Sequence, residues 1–150
     1  KNKVKFVGGQ FDLIHSIDST SLAEAVHKKS CEHDTVTPVL IQINVSGEES
    51  KFGVDPGNLK ETLQKVSGMR GVRVEGLMTI PPWDPDPENS RTYFSVLRTL
   101  RDDMVKLGMD HIALDELSMG MSHDFHVAIE EGATLVRVGT AIFGPRETTG

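Results

Sequence analysis

Cysteine is nearly missing from this sequence: Cys31 is the only one. A single thiol excludes an internal disulfide and suits a reducing, cytoplasmic setting. Cys31 itself reads as a small apolar filler near a helix end rather than a reactive thiol. No apolar run approaches the roughly 18 residues of a membrane span, and no signal-peptide pattern stands ahead of the first strand, so no membrane partner is expected. Basic charge is not in excess either. Sixteen Lys and Arg stand against 22 Asp and Glu, a net charge of −6. The cations are scattered among acids, which argues against nucleic acid as a partner, because neutralising phosphates needs clustered Lys and Arg.

Several familiar constellations are also lacking. His123 and His126 are three apart, but no carboxylate or further His completes a metal set. No Ser-His-Asp or Cys-His group is evident, so no catalytic residue is assigned. "VGG" at 7–9 is a lone glycine pair, short of a dinucleotide fingerprint. Lys51 reads as solvated rather than as a reactive amine, and the acidic proline loop at Asp84–Glu88 as a solvated connection.

What is there is a globular mix, 37% hydrophobic and 25% charged over 150 residues, enough for one domain spanning 1–150. The chain opens Lys1-Asn2-Lys3 without an initiator Met, so a fragment or processed product is expected. Strand and helix signals alternate. "LIHSI" at 13–17 is a short strand. Asp18 or Ser19 then caps a helix to about Lys29, with Leu22, Ala25 and Val26 on one face. "PVLIQINV" at 38–45 is nearly all apolar and rich in β-branched residues, the mark of a buried parallel strand.

Asp55-Pro56 opens a second helix with an apolar stripe of Leu59, Leu63 and Val66. "VRVEGLMTI" at 72–80 is a third strand. Tyr93, Phe94, Leu97, Leu100, Met104 and Leu107 recur at helical spacing along a long amphipathic helix. A fourth strand surrounds Leu117, Ser122 caps a short helix ending near Gly132, and "TLVRVG" at 134–139 is the fifth strand. Such alternation means a parallel sheet. A doubly wound sheet fits 150 residues and is slightly favoured by pattern, whereas a TIM barrel ordinarily needs about 250.

In either architecture ligands bind at the carboxyl ends of the strands. Those ends carry His15 and Ser16; Asn44, Ser46 and Gly47; Met78 and Thr79; Ser118 to Ser122; and Arg137, Gly139 and Thr140. Small residues, hydroxyls and one Arg suit a phosphate, which exposed backbone N–H groups and hydroxyls bind well. The stretch "ELSMGMSHDF" at 116–125 places two hydroxyls and a Gly within five residues, which a core strand does not need. Ser122 can equally be a plain helix cap, and Gly139-Thr140 a strand-to-loop turn. Arg137 interrupts an apolar run, where an unpaired charge is costly. It either forms a salt bridge with Glu75 or Glu116 or faces a ligand.

Taken in order and spacing, "INVSGEESKFGV", "GLMTIPP", "ELSMGMSHDF" and "LVRVGTAIFG" resemble the pyridoxal-phosphate homeostasis protein family, whose fold is like the N-terminal barrel of alanine racemase. The match runs from a first helix at "NKVKFVGG" to the last motif. The resemblance implies a partial TIM (β/α)8 barrel, approximately strands four to eight, against the preference from pattern. It implies pyridoxal 5'-phosphate as cofactor, with the lysine that holds it covalently on an earlier strand that nothing here matches. It further implies that Arg137 approaches the pyridine nitrogen and that Ser118, Gly139 and Thr140 cradle the phosphate, helped by backbone N–H groups near Met119 and Gly120. Met78 and Asn44 would line the ring. The implied role is cofactor carriage and vitamin B6 and amino-acid balance with little or no catalysis. A racemase-type enzyme on the same barrel is the alternative, but the one tyrosine, Tyr93, looks like helix packing. A five-strand piece with two open edges is expected to be poorly stable or to self-associate.

Overall fold

The computed structural model describes Val4, Val7 and residues 11–48 and 50–145; the first helix expected at "NKVKFVGG" falls largely outside them. Five parallel strands alternate with helices: β1 (Ile14–Ile17), α1 (Thr20–Glu32), β2 (Thr37–Gln42), α2 (Leu59–Ser67), β3 (Val72–Met78), α3 (Arg91–Val105), β4 (Ile112–Met121), α4 (Phe125–Glu130), β5 (Leu135–Arg137) and α5 (Thr140–Phe143). The sheet order is β1-β2-β3-β4-β5, every neighbouring pair parallel. This order corrects the preference for a doubly wound sheet. Such a sheet reverses its winding at a switch point, whereas here each strand is added on the same side of the last. Right-handed crossovers in one direction put every helix on one face, and α1 accordingly packs on α2, and α3 on α4. The result is half of a barrel.

Local chemistry sets the element ends. Ser19, not Asp18, caps α1, its Oγ accepting the Leu22 N–H. The buried stripe of α1 runs through Ala23, Val26 and Ser30, one step round from the expected face, because Ser30 Oγ is drawn inward to within 2.6 Å of Thr37 Oγ1 on β2. Asp55 does cap, but the Pro56–Asn58 segment that it opens is a 3-10 turn, and α2 proper starts at Leu59. β2 stops at Gln42 rather than Val45, because the Gln42 carbonyl and the Asn44 N–H turn to Val54 in the following loop while only the Ile43 N–H stays on the Met78 carbonyl. Leu107 falls beyond α3 and is exposed. Cys31, expected as a filler, is exposed too, with Sγ 3.5 Å from His27 Nδ1.

Under the helices, Val39, Ile41, Val72, Leu77, Leu117 and Met119 meet Leu63, Phe94, Leu97 and Val127. Each such fully buried side chain contributes about 1.5–3 kcal/mol. Alternation sends the intervening residues to the opposite, concave face. Gln42, Met78, Ser118 and Leu135 lie in one register row across it.

The sheet is irregular where β3 meets β4. Val74 pairs with Ile112 and Gly76 with Glu116, so β4 takes up surplus residues, and Leu114 absorbs them at φ 58°. Directly beside this bulge a Cβ on Gly76 would collide with the Glu116 carbonyl. Gly76→Ala is therefore expected to lower stability by about 2–3 kcal/mol in urea denaturation. A loss below about 0.5 kcal/mol, typical of a neutral surface change, would show that the two strands do not approach so closely.

Candidate functional site

β4 runs on to Met121, so Ser118, Met119 and Gly120 are buried strand residues and not a loop between strand and helix. Period-2 alternation divides them. Met119 joins the core under the helices, and Ser118 turns to the concave face. Gly120 sits at φ 91°, where a side chain would meet Ala128 and Phe125 of α4, so its bareness lets the helix lie against the strand end. Met78 is buried beside Ser118 in the register row.

On that concave face Arg137 reaches across from β5. Its Nη1 donates to Ser118 Oγ at 2.6 Å and its Nη2 to the Thr79 carbonyl at 2.9 Å. Thr79 is itself held, its Oγ1 donating to the Ile43 carbonyl at 2.9 Å. Of the two alternatives for Arg137, the salt bridge with Glu75 or Glu116 does not form. Glu75 pairs with Arg73 and Glu116 accepts from Thr134 Oγ1. Among the described residues no carboxylate contacts Arg137, which is bonded only to neutral oxygens. Burial pushes its guanidinium below the ordinary value and the charge of Asp124 opposes this. An arginine stays protonated regardless, so a half-buried positive charge stands at the end of β5.

Ser122 does something other than capping α4. The N-cap position of α4 is Asp124, whose Oδ1 accepts the Met121 N–H at 2.7 Å. Ser122 Oγ instead accepts the N–H groups of Gly139 and Ala141 at 3.0 and 3.2 Å. The reason is the length of β4, which delays the helix and leaves Ser122 opposite the β5–α5 turn. That turn is thereby pinned to the end of β4. A Cβ on Gly139 would meet nothing within 4 Å, so the space beside the turn is open, and Thr140 next to it is exposed.

Asn44 is not joined to this group by any hydrogen bond. Its Nδ2 donates to the Glu48 carbonyl at 2.8 Å and its Oδ1 accepts from Ser46 Oγ at 3.0 Å, closing the loop after β2. His15, carried on β1, has a larger part than its place among the strand-end residues suggested. Its Nδ1 lies 2.8 Å from Ser118 Oγ. Burial, and then the charge of Arg137, push His15 below its ordinary value, while Glu116 opposes them. The only advance signal was its position at a strand end, since no spacing rule links residue 15 to residue 118. His123 Nε2 donates to the Asp84 carbonyl at 2.9 Å. Among the described residues no three His, Cys, Asp or Glu side chains converge as a metal site, and no helix is long and apolar enough to cross a membrane.

Comparison with known proteins gives this geometry a context. A family model described as the N-terminal domain of alanine racemase matches residues 5–147. A pyridoxal phosphate homeostasis protein from Aquifex aeolicus is 51% identical over 146 residues, covering 97% of this chain and 63% of that protein. The structure of PipY from Synechococcus elongatus with PLP bound is 34% identical with a TM-score of 0.83, covering 95% of this chain and 66% of that one. An alanine racemase from Clostridium difficile shares the fold, with a TM-score of 0.75 at 13% identity over 99% of this chain and 38% of its own. The five strands are thus consecutive strands of a (β/α)8 barrel of the alanine racemase kind. The chain spans about three fifths of the length of the curated relatives it matches. It belongs to the family of alanine racemase N-terminal domains.

Proposed function

We propose that this chain supplies the phosphate and ring-nitrogen side of a pyridoxal 5'-phosphate site, in a protein that holds the cofactor for vitamin B6 and amino-acid homeostasis with little or no catalysis. The observation that carries this reading is Arg137: a half-buried guanidinium held by Ser118 and the Thr79 carbonyl, bonded to neutral oxygens alone, beside an open turn at Gly139 and Thr140. Such a site fits an anionic phosphate and a neutral ring acceptor together. Arg137 meets the ring nitrogen, Met78 packs beside the ring, and Gly139 and Thr140, with backbone groups of the Met119-Gly120 segment, hold the phosphate. Ser118, its hydroxyl bonded to Arg137 and His15, serves the cofactor through Arg137. Asn44 borders the pocket from its closed loop. When bound, the cofactor supplies an electron sink. An arginine donating to the ring nitrogen leaves that nitrogen without a proton and so weakens the sink, which favours carriage over chemistry. The relatives' names, a homeostasis protein and a PLP-bound PipY, agree with this reading.

The racemase-type alternative has less support, because Tyr93 is half-buried in α3 on the helix layer. The single cysteine agrees with a reducing, cytoplasmic setting.

Absorbance titration with pyridoxal 5'-phosphate tests the reading. The wild-type chain is expected to bind, and Arg137→Leu to bind about tenfold to a hundredfold more weakly, the range for a lost hydrogen bond to a charged group. Equal affinity of the two proteins, or no binding by wild type, would overturn it. The open parallel edges of β1 and β5 among the described residues, with Val136, Ile142 and Phe143 exposed near β5, generate a second expectation. A polypeptide of these 150 residues alone pairs with a second copy in sedimentation, and a stable monomer would refute that.

A further inference from the structure

His15 and Arg137 stand on the two outermost strands, yet both bond to one oxygen. Ser118 Oγ is 2.8 Å from His15 Nδ1 and 2.6 Å from Arg137 Nη1. Their chemistry sets the direction of both bonds. Arginine carries donors only, so Ser118 Oγ is the acceptor in that pair. The hydroxyl then has one proton to give, and Ser118 is fully buried, so an unspent O–H would be costly. Nδ1 of His15 stands within reach as its acceptor. A histidine that accepts at Nδ1 is neutral and carries its proton on Nε2. Each bond polarises the next: a hydroxyl that donates to the imidazole is a stronger acceptor for the guanidinium.

We propose that His15 is a positioning residue for the cofactor site: by taking the Ser118 proton, it turns the hydroxyl's lone pairs toward Arg137 and keeps the guanidinium where the ring nitrogen is met. This rests on the pyridoxal 5'-phosphate reading above. Without His15, the Ser118 proton has to find another acceptor, and the hydroxyl is free to rotate its hydrogen toward Arg137. The guanidinium then keeps only the Thr79 carbonyl as a directed anchor.

Protonation of His15 would reverse the order. Nδ1–H would donate to Ser118, and a second cation would stand beside Arg137, with Glu116 on β4 the carboxylate that offsets it. Burial and Arg137 both hold His15 below its ordinary value of 6.5. The unfolded chain therefore takes up a proton that the folded chain refuses as pH falls below about 6.5. Stability is complete above that value and declines beneath it, until the folded His15 is itself protonated.

Three measurements test the proposal. In 15N-labelled wild-type protein at pH 7.5, the His15 ring is expected as the Nε2–H tautomer, with Nδ1 bare; the Nδ1–H tautomer would overturn the proposed bond order. In titrations with pyridoxal 5'-phosphate, His15→Leu is expected to bind about tenfold more weakly, the effect of one lost neutral hydrogen bond. His15→Asn, whose Oδ1 can accept the same proton, should stay within about threefold of wild type. Circular dichroism establishes that each variant is folded. A folded His15→Leu that binds within about twofold of wild type, or a His15→Asn as weak as Leu, would overturn the positioning role. In thermal unfolding, the decline below about pH 6.5 should be smaller in His15→Asn than in wild type, and an unchanged profile would count against a half-buried neutral ring. If wild type itself does not bind the cofactor, the cofactor reading falls, and the tautomer still decides the order of the hydrogen bonds.

Discussion

Curvature is the constraint on which the site depends. β1 and β4 are separated by two strands, and at about 4.8 Å per spacing a flat sheet would hold them roughly 14 Å apart. His15 on β1 nevertheless bonds to Ser118 on β4. Only a sheet that curls toward its bare face brings these side chains together, and the curl follows from the unidirectional strand order with all helices on the other side. The bulge at Leu114 and the close pairing at Gly76 sit where β3 and β4 bend past one another.

Within the curl, side-chain alternation keeps chemistry and packing apart. Met119 and Leu117 go to the helices, and Ser118 between them goes to the concave face. Arg137 is thus held half-buried without a carboxylate set against it. Burial of a cation with only neutral partners is costly in free energy. Here that cost is met in part by three bonds that share a direction, from guanidinium to hydroxyl to imidazole, and from guanidinium to the Thr79 carbonyl. The distant charge of Asp124 helps as well. Ser122 makes a parallel contribution at the other end of the site, holding the Gly139 and Ala141 amides so that the turn after β5 keeps its shape.

The elements were legible in the sequence wherever one local signal dominated. The apolar run of β2, the Ser19 cap, the α2 stripe of Leu59, Leu63 and Val66, and the oddity of Arg137 all carry their meaning within a few residues. The faces and ends were less legible. The α1 stripe shifted because Thr37 lies across from Ser30. β2 ended early because Val54 in a later loop competed for its backbone. Ser122 looked like a helix cap because a hydroxyl before a helix does look like one, and its true partners lie 17 and 19 residues further on.

By itself, then, the sequence determined the alternation of strands and helices, the group of hydroxyls, glycines and one arginine at the strand ends, and the family resemblance that their spacing carries. These are properties of neighbours along the chain, governed by periodicity and local hydrogen bonding. Only the tertiary structure decided that the sheet winds one way and curls, that Arg137 bonds to Ser118 and Thr79 instead of Glu75 or Glu116, and that His15 completes the set. Those outcomes depend on contacts between residues 19, 58 and 103 positions apart, whose distances are set by strand order and curvature. No stretch of sequence encodes them locally.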